Sequence, residues 1–296
     1  MSYSQQERTR AIAWKSTTST LPDEARAAGG YVDKNGSVGT TPYNFRLPPA
    51  SAALNLLPEV RDPAVALFTE LGIPWHAGAA GGPGNHLLSS QVQCVIALGQ
   101  MLADPTRIVA AFGQLLGIGE MLQIEPNRFL TFEYIGPTDF FGEAPTGERN
   151  RGAHCTSVDA AFLHRDVHGV VELVLVEWKY TESYRVRSPD PAKDEIQRRR
   201  YGAALADPAG PVRADALAFE LLLNEPFYQL VRQQLLAWAL ETSSAEGASR
   251  VRVGQVLPKG NLPYQQSLAR PEHRALGGSG SEVWHSRRAA RTGSCP

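Results

Sequence analysis

Cysteine is scarce in this chain of 296 residues. Its three cysteines are Cys94, Cys155 and Cys295. No two of them form a CxxC pair, and none is grouped with histidine at the spacing of a zinc site. This scarcity argues against a disulfide framework and against the common structural zinc sites. We interpret Cys94 and Cys155 as core residues, and the odd count favours a reducing compartment.

The chain also lacks an excess of charge of one sign. Lys and Arg number 29 and Asp and Glu number 30, which gives a net charge of −1. Nucleic-acid binders often carry a basic balance, so any such contact here must come from local patches. No apolar run reaches the length of a membrane span, and the first residues lack the apolar segment of a signal peptide. We therefore expect a cytoplasmic protein with no membrane partner.

What the sequence does contain is the composition of a globular domain, with 43% hydrophobic and 20% charged residues. Glycine and proline punctuate residues 1–74, which we predict to be an irregular N-terminal arm. A central domain is expected over 75–260 and an irregular tail over 261–296. Hydrophobic spacing within the central domain predicts helices over 86–102, 106–116 and about 225–241, and strands over 129–135, 155–164, 171–180 and 251–257.

The most informative stretch is residues 154–184. Asp159 lies on one predicted strand, and Glu177 and Lys179 end the next. Residues i and i+2 of a strand share a face, so Glu177 and Lys179 do, and a hairpin can bring Asp159 beside them. Two carboxylates and an ammonium can bind a divalent cation and hydrolyse a phosphodiester. A lone Glu-x-Lys is common by chance, and the alternative is a buried strand with two ordinary charges at its tip.

The order of elements and several local strings add to this pattern. The order helix, strand, strand, strand, helix, strand resembles the PD-(D/E)XK nuclease superfamily and, within it, a bacterial family of restriction-endonuclease-like proteins. The strings that carry the resemblance are Leu88-Ser-Ser-Gln-Val-Gln-Cys94, Phe129-Leu-Thr-Phe-Glu133, Cys155-Thr-Ser-Val-Asp-Ala-Ala-Phe162, Val176-Glu-Trp-Lys-Tyr-Thr-Glu-Ser-Tyr184 and Glu225-Pro-Phe-Tyr-Gln-Leu-Val-Arg-Gln-Gln-Leu-Leu-Ala237.

The resemblance covers about residues 75–260, and we see no family-like ending after Trp284. It implies an α/β fold with a restriction-endonuclease-like core, αβββαβ, whose mixed four-stranded sheet is flanked by helices. It also implies that Asp159, Glu177 and the backbone carbonyl of Trp178 bind Mg²⁺, or alternatively Mn²⁺. Lys179 would then position water or stabilise developing negative charge.

Many superfamily members add a carboxylate or an amide from the first core helix. Gln91 fits that position and lies on the buried stripe of the predicted helix, so it is our fourth catalytic candidate. Gln93 is the close alternative, and Glu133 is a third candidate. Structural roles remain open for these residues: Gln91 as a cap for a neighbouring strand, and Glu133 as part of a solvated face.

Local basic residues flank the two proposed catalytic strands. The candidates for nucleic-acid binding are Arg149, Arg151, Arg185, Arg187, Arg198 and Arg199. Lys and Arg neutralise phosphates, and affinity for DNA rises with the number neutralised. The alternative is a solvated loop whose charges pair with Asp190, Asp194 and Glu195, as charge runs commonly do.

Together these features predict a Mg²⁺-dependent endonuclease that hydrolyses DNA, in defence against foreign DNA or in its processing. One alternative is a non-catalytic nucleic-acid-binding or assembly protein that keeps the fold. Another is a nuclease directed at RNA. The sequence is compatible with a homodimer.

Overall fold

The computed structural model describes residues 1–33, 35–79, 81–144, 146–152, 155–184, 190–212, 218–266, 268 and 270–287. The helices are α1 (Tyr3–Thr17), α2 (Pro58–Glu70), α3 (Ser90–Leu98), α4 (Pro105–Leu116), α5 (Pro191–Ala206), α6 (Phe219–Leu222), α7 (Phe227–Thr242), α8 (Leu262–Gln265), α9 (Pro271–Arg274) and α10 (Gly280–Arg287). Short 3-10 turns cover Asp23–Arg26, Pro49–Asn55, Gly99–Met101 and Ala245–Gly247.

The strands form two small hairpins and one central sheet. They are β1 (Gly29–Val32), β2 (Val38–Tyr43), β3 (Gly78–Ala79), β4 (Gly82–Gly84), β5 (Ile118–Leu122), β6 (Leu130–Tyr134), β7 (Val158–Asp166), β8 (Val171–Trp178) and β9 (Arg250–Val256). The central sheet has the order β5-β7-β8-β9, and β6 also pairs with β7. β8 runs antiparallel to β7 and parallel to β9, so the sheet is mixed, as predicted.

The sheet has five strands rather than the predicted four. β5 and β6 pair in turn with the two halves of β7. The extra strand β5 is a short segment, Ile118–Leu122, that starts directly after α4 and is only partly buried. Gly117 ends α4 in the left-handed conformation, with φ 65°, which suits glycine at a helix C-terminus. Because β5 has no strong alternation of its own, its pairing with β7 decides its conformation.

Helices cover both faces of the central strands. On one face Phe162, Val174 and Val176 pack with residues of α2, α3 and α4. On the other face Leu173 and Leu175 pack with residues of α7. A strand buried on both faces reads as a nearly continuous apolar run, which is the pattern of β7 and β8. Charged residues appear where these strands leave the core.

The predicted first core helix is shorter than expected. α3 spans Ser90–Leu98 instead of 86–102, because the Ser89 side chain accepts from the Val92 N–H at 3.3 Å and caps the helix there. A 3-10 turn over Gly99–Met101 follows. Within the described ranges, no single helix has the length and apolar composition to cross a membrane. The bent pair Ser90–Met101 and Pro105–Leu116 meets those criteria together.

The N-terminal segment is not irregular, contrary to the prediction for residues 1–74. It contains α1, the β1–β2 hairpin and α2. α1 has no apolar stripe, so hydrophobic periodicity could not reveal it. Its N-terminus is closed by a capping box between Ser2 and Gln5. Near its other end the buried Lys15 ammonium donates to the carbonyls of Ala27 (3.0 Å) and Arg46 (2.9 Å).

Two other segments are more ordered than their composition indicated. The predicted irregular tail after residue 260 contains α8, α9 and α10. The polar stretch before residue 201 includes α5, which Asp190 caps by accepting from the Lys193 N–H at 3.1 Å. Gln197, Tyr201 and Leu205 are its buried residues. They lie four residues apart, so a narrow stripe attaches an otherwise polar helix.

Candidate active site

The ends of β7 and β8 bring Asp159 and Glu177 together. Ala160 is paired with Val176, and continuing this antiparallel register places Asp159 opposite Glu177. Residues opposite each other in an antiparallel pair have neighbouring side chains. The Trp178 N–H donates to Asp159 Oδ2 at 2.6 Å, which fixes the Asp159 carboxylate against the end of β8. The hairpin therefore has the arrangement that the sequence pattern predicted.

Lys179 joins the same cluster. Its Nζ lies 2.5 Å from Glu177 Oε1, and the two side chains are 8% and 3% exposed. The Lys179 N–H donates to the Val256 carbonyl at 2.9 Å, so pairing with β9 continues just beyond the end of β8. Glu177 and Lys179 share a face, as their spacing predicted, and the alternative of two solvated charges at a strand tip is wrong.

Helix α7 supplies two further partners for Glu177. Gln229 Nε2 donates to Glu177 Oε1 at 2.5 Å, and Gln233 Nε2 donates to Glu177 Oε2. The Gln229 Oε1 atom accepts from the Tyr184 hydroxyl at 2.8 Å. Both oxygens of the Glu177 carboxylate are therefore held by donors, and one of these donors is itself held by Tyr184.

Gln91 and Glu133 lie on the other side of Asp159. Gln91 Nε2 donates to Glu133 Oε1 at 3.0 Å, and its Oε1 accepts from the His76 N–H at 2.8 Å. The second Glu133 oxygen accepts from Ser157 Oγ at 3.1 Å. Gln91, Glu133 and Asp159 line one narrow cleft, which is too tight to admit a water molecule. Gln91 thus reaches the carboxylate cluster through Glu133.

The backbone at Glu133 is unusual. Its φ is 47°, in the left-handed region that residues with a Cβ rarely adopt. In a regular strand, Phe132 and Tyr134 would alternate with Glu133 and share one face. Here Phe132 packs in the core beside α2 and α3, whereas Tyr134 packs in the core beside α7. The left-handed backbone at Glu133 allows this change of face. It also places the Glu133 side chain in the lining of the cleft.

The indole and carbonyl of Trp178 are both held by the first core helix. Ser90 Oγ donates to the Trp178 carbonyl at 3.3 Å. Trp178 Nε1 donates to Gln93 Oε1. Gln93, the alternative to Gln91, therefore orients Trp178 instead of joining the carboxylates.

Burial and like charge set the protonation of this cluster. Burial raises the pKa of Asp159 well above its ordinary value, and the Glu177 charge raises it further. Burial also raises the pKa of Glu177, although Lys179 opposes this. For Lys179 burial acts to lower the pKa, but the charges of Glu177, Tyr184 and Asp159 outweigh it and raise the value. The site is therefore an ammonium ion held between carboxylates that resist ionisation.

The carboxylates are not arranged as a closed metal cage. Within the part of the chain that the structure describes, no three or more His, Cys, Asp or Glu side chains are grouped so as to hold a metal ion. The carboxylates of Asp159 and Glu177 lie at opposite positions of the β7–β8 pair, and the Trp178 carbonyl, which accepts from Ser90 Oγ, follows Glu177 in the chain. Such hard oxygen ligands suit Mg²⁺, which is commonly bound by one or two carboxylates and keeps several waters.

A family model described as Restriction Endonuclease associating with ARP matches residues 8–292. The chain belongs to this restriction endonuclease family. The match extends on both sides of the predicted 75–260 region and continues past Trp284, where we expected the family likeness to end. No curated protein and no solved structure matches the chain. Membership in this family supports nuclease activity and a nucleic-acid substrate.

Two arginines that were candidates for nucleic-acid binding in this family member are bonded within the protein. Arg151 pairs with Glu125 at 2.6 Å and donates to Thr131 Oγ1 at 2.6 Å. Arg149 donates to the carbonyl of Ile135 at 2.5 Å. These contacts tie the 136–152 loop to β6 and its flanks. Both guanidinium groups therefore have a structural role.

The other arginine candidates follow β7 and β8 in the chain. Arg198 and Arg199 are exposed on α5. Arg198 pairs with Glu220 at 2.5 Å and covers the Phe219 ring at 4.6 Å. Arg185 and Arg187 lie outside the described residues. For Arg198 the alternative of ordinary ion pairing applies, and its partner is Glu220 in the next helix.

The sequence pattern missed Gln229, Gln233 and Tyr184 as members of the site. Gln234, which is next to Gln233 on α7, is also buried. A usable signal was present: Gln229 and Gln233 are four residues apart and so share a helix face. Two amides on a face that is otherwise buried need partners, and Glu177 provides one for each.

Proposed function

We propose that this chain is a metal-dependent nuclease that hydrolyses the phosphodiester bonds of DNA. One observation carries the proposal: Asp159, Glu177 and Lys179 meet at the adjoining ends of β7 and β8, in a member of a restriction endonuclease family. A buried ammonium beside the buried Glu177 carboxylate and the half-buried Asp159 carboxylate needs a reason, because burying charge is costly. Catalysis on a phosphate supplies one.

Asp159, Glu177 and the Trp178 carbonyl would hold Mg²⁺, with Mn²⁺ as a substitute. All three offer hard oxygen atoms. Burial raises the pKa of both carboxylates, and the Glu177 charge raises that of Asp159 further, so a cation would favour their ionised form. When bound, such an ion lowers the pKa of a coordinated water and screens phosphate charge. The chain's own residues then have to orient that water and the scissile phosphate.

Lys179 is suited to act on the reacting phosphate. Its raised pKa keeps the ammonium protonated at neutral pH. A protonated lysine donates to a phosphate oxygen and stabilises negative charge as it develops on the phosphorus. In the free protein Glu177 holds it, so the ammonium is already in place before substrate arrives. Gln91 acts one step away, by holding Glu133 at the wall of the cleft.

The substrate is held by local basic groups, because the chain as a whole carries a net charge of −1. Arg198 and Arg199 are exposed on α5 and follow the catalytic strands in sequence. Of the described candidates these two are the exposed ones, whereas Arg149 and Arg151 are bonded inside the protein. Arg198 would exchange its pairing with Glu220 for a phosphate. DNA is the substrate we favour, and RNA is the close alternative.

One set of incubations tests the proposal. Purified protein is mixed with supercoiled plasmid, linear DNA, single-stranded DNA and RNA, each with Mg²⁺, Mn²⁺ or EDTA. We expect cleavage of DNA that requires the cation and is lost in Asp159→Asn and Lys179→Met. Cleavage of RNA alone would change the substrate, and full cleavage by the Asp159→Asn/Lys179→Met double variant would refute the site.

The family description also names an association with ARP, and we extend that association to this chain. Co-elution of the two purified components in size-exclusion chromatography would support it, whereas separate elution at micromolar concentration would oppose it. The same run reports whether the chain alone is a monomer or a homodimer.

A further inference from the structure

We infer that Gln229 and Gln233 are positioning residues for Glu177, and that Tyr184 holds Gln229 in place for this role. The inference rests on the proposed function, because it assigns a role to groups around the proposed metal ligand. It also extends that function, since neither glutamine is needed to complete the Asp159, Glu177 and Lys179 set.

Three hydrogen-bond donors contact the Glu177 carboxylate. Its Oε1 accepts from Lys179 Nζ at 2.5 Å and from Gln229 Nε2 at 2.5 Å. Its Oε2 accepts from Gln233 Nε2. Three donors on two oxygens fix both the position and the tilt of the carboxylate plane. Lys179 reaches one oxygen only, so it leaves the plane free to rotate about that contact, and the two amides remove this freedom.

The Gln233 amide is oriented toward Glu177 although this leaves its own oxygen without a hydrogen bond among the described residues. Gln233 is fully buried, and its Oε1 has no hydrogen-bond partner among the described residues. An unpaired buried carbonyl costs free energy, about 1–3 kcal/mol in typical cases. The amide nevertheless gives its donor to Glu177, because the opposite orientation would place two oxygens together. The orientation of this side chain is therefore dictated by the carboxylate.

Tyr184 contacts Glu177 indirectly, through the side-chain amide of Gln229. The Tyr184 hydroxyl donates to Gln229 Oε1 at 2.8 Å, and the amide of Gln229 then points its Nε2 at Glu177. Without that donor, only the hydrogen bond to Glu177 would favour this orientation of the Gln229 amide over the flipped one. Tyr184 thus selects the productive orientation of Gln229. It follows β8 in the chain, so it links the loop after the catalytic strand to α7.

This arrangement assigns a specific role to each amide. A carboxylate held by two amide donors points one way, so a cation arriving at Glu177 meets a fixed ligand. Groups that orient metal ligands typically change metal affinity by 10–100-fold when removed. We therefore expect the effect of the glutamines in cation binding and in the cation dependence of cleavage, rather than in DNA binding.

The experiment compares Gln229→Leu, Gln233→Leu and the double variant with wild type. Leucine keeps the approximate volume and removes the amide. Gln234→Leu is the matched control, since Gln234 is a neighbouring buried glutamine on the same helix. Mn²⁺ binding is measured by calorimetry on the protein without DNA. DNA binding is measured in EDTA, and thermal unfolding checks that each variant is folded.

We expect the double variant to bind Mn²⁺ at least about tenfold more weakly than wild type, with DNA affinity in EDTA unchanged. Gln234→Leu should bind Mn²⁺ as wild type does. Tyr184→Phe should weaken Mn²⁺ binding by a smaller factor, whereas Tyr228→Phe on α7 should not. If the double variant does not fold, Gln229→Leu carries the test, because that position is only partly buried.

The failures are distinguishable. Folded glutamine variants that bind Mn²⁺ as tightly as wild type would overturn the positioning role and leave the proposed function intact. A wild-type protein that binds Mn²⁺ but cleaves no nucleic acid would overturn the proposed nuclease activity, while weaker binding by the variants would still support the glutamines. A wild-type protein that binds no Mn²⁺ would overturn both.

Discussion

Replacing Asp159 by asparagine should stabilise the metal-free protein while abolishing cleavage. Asp159 is closely surrounded by protein and lies opposite Glu177, and both features raise its pKa. Like charges about 5 Å apart repel by roughly 3 kcal/mol at an effective dielectric constant of about 20. Lys179 offsets much of this repulsion. We therefore expect a net gain of about 1–2 kcal/mol from removing the charge.

Asparagine keeps the shape and retains an oxygen that can accept from the Trp178 N–H, now at 2.6 Å from Asp159. In EDTA at pH 7.5 the melting temperature should rise by roughly 2–5 °C. Cleavage with Mg²⁺ should fall by at least about a hundredfold, because a carboxylate proposed to hold the cation is lost. The assays are thermal unfolding by circular dichroism and plasmid cleavage on gels.

The gain should depend on pH in a defined direction. The folded pKa of Asp159 lies above its unfolded value, so the ionised carboxylate destabilises the fold at neutral pH. As pH falls below the folded pKa, the carboxylate becomes protonated in the folded state, and the penalty shrinks steadily until the unfolded pKa is reached. Below the ordinary value of about 4, wild type and variant should melt together. A gain that persists unchanged at that pH would refute the electrostatic explanation.

Asp166→Asn is the matched control on the same strand. Asp166 accepts from the His168 and Val170 N–H groups, both at 2.9 Å, and pairs with Arg250 at 3.1 Å. Its pKa is lowered, first by the Val170 hydrogen bond. Asparagine should therefore lower the melting temperature there. If Asp159→Asn also lowers the melting temperature in EDTA, the account of Asp159 as a strained charge is wrong.

Other substitutions test the remaining assignments. Lys179→Met should abolish cleavage and destabilise the fold by about 3 kcal/mol, because it leaves the buried Glu177 without its cation; gel assays and urea unfolding measure both effects. Arg198→Ala/Arg199→Ala should weaken DNA binding for all sequences and reduce the salt slope of that binding by about two. Fluorescence anisotropy at several salt concentrations measures both effects. An unchanged slope would show that these two side chains do not contact phosphates. Arg151→Ala should instead lower the unfolding free energy by about 2 kcal/mol, since it breaks a largely buried pair with Glu125, and should leave the salt slope unchanged.

The site illustrates how far a local pattern can be taken. The spacing of Glu177 and Lys179 and the hairpin before them were sufficient to place both beside Asp159, because strand alternation and hairpin pairing are local rules. The partners on α7 could not be found in that way. They approach Glu177 from about fifty residues further along the chain. Only the packing of α7 on the sheet decides which two of its three glutamines face the carboxylate.

Similar reasoning explains the errors in the fold. Hydrophobic periodicity identified the elements that bury a wide apolar stripe, including α4, α7 and the strands β6 to β9. It missed α1 and α5, which attach through caps and a few buried polar groups. It also missed β5, whose short segment becomes a strand only because the edge of β7 is available for pairing.

The sequence by itself determined the mixed α/β class, the paired strands β7 and β8, and the meeting of Asp159, Glu177 and Lys179. Each of these follows from the spacing of residues close together in the chain. Only the tertiary structure decided which groups the arginines and the side-chain amides bind. Arg149 and Arg151 turn inward to carbonyls and Glu125, Glu133 adopts a left-handed backbone beside Gln91, and Gln229 and Gln233 hold Glu177. The physical reason is that the partner of a long polar side chain can be distant in the sequence, and only folding brings the two groups within hydrogen-bond distance.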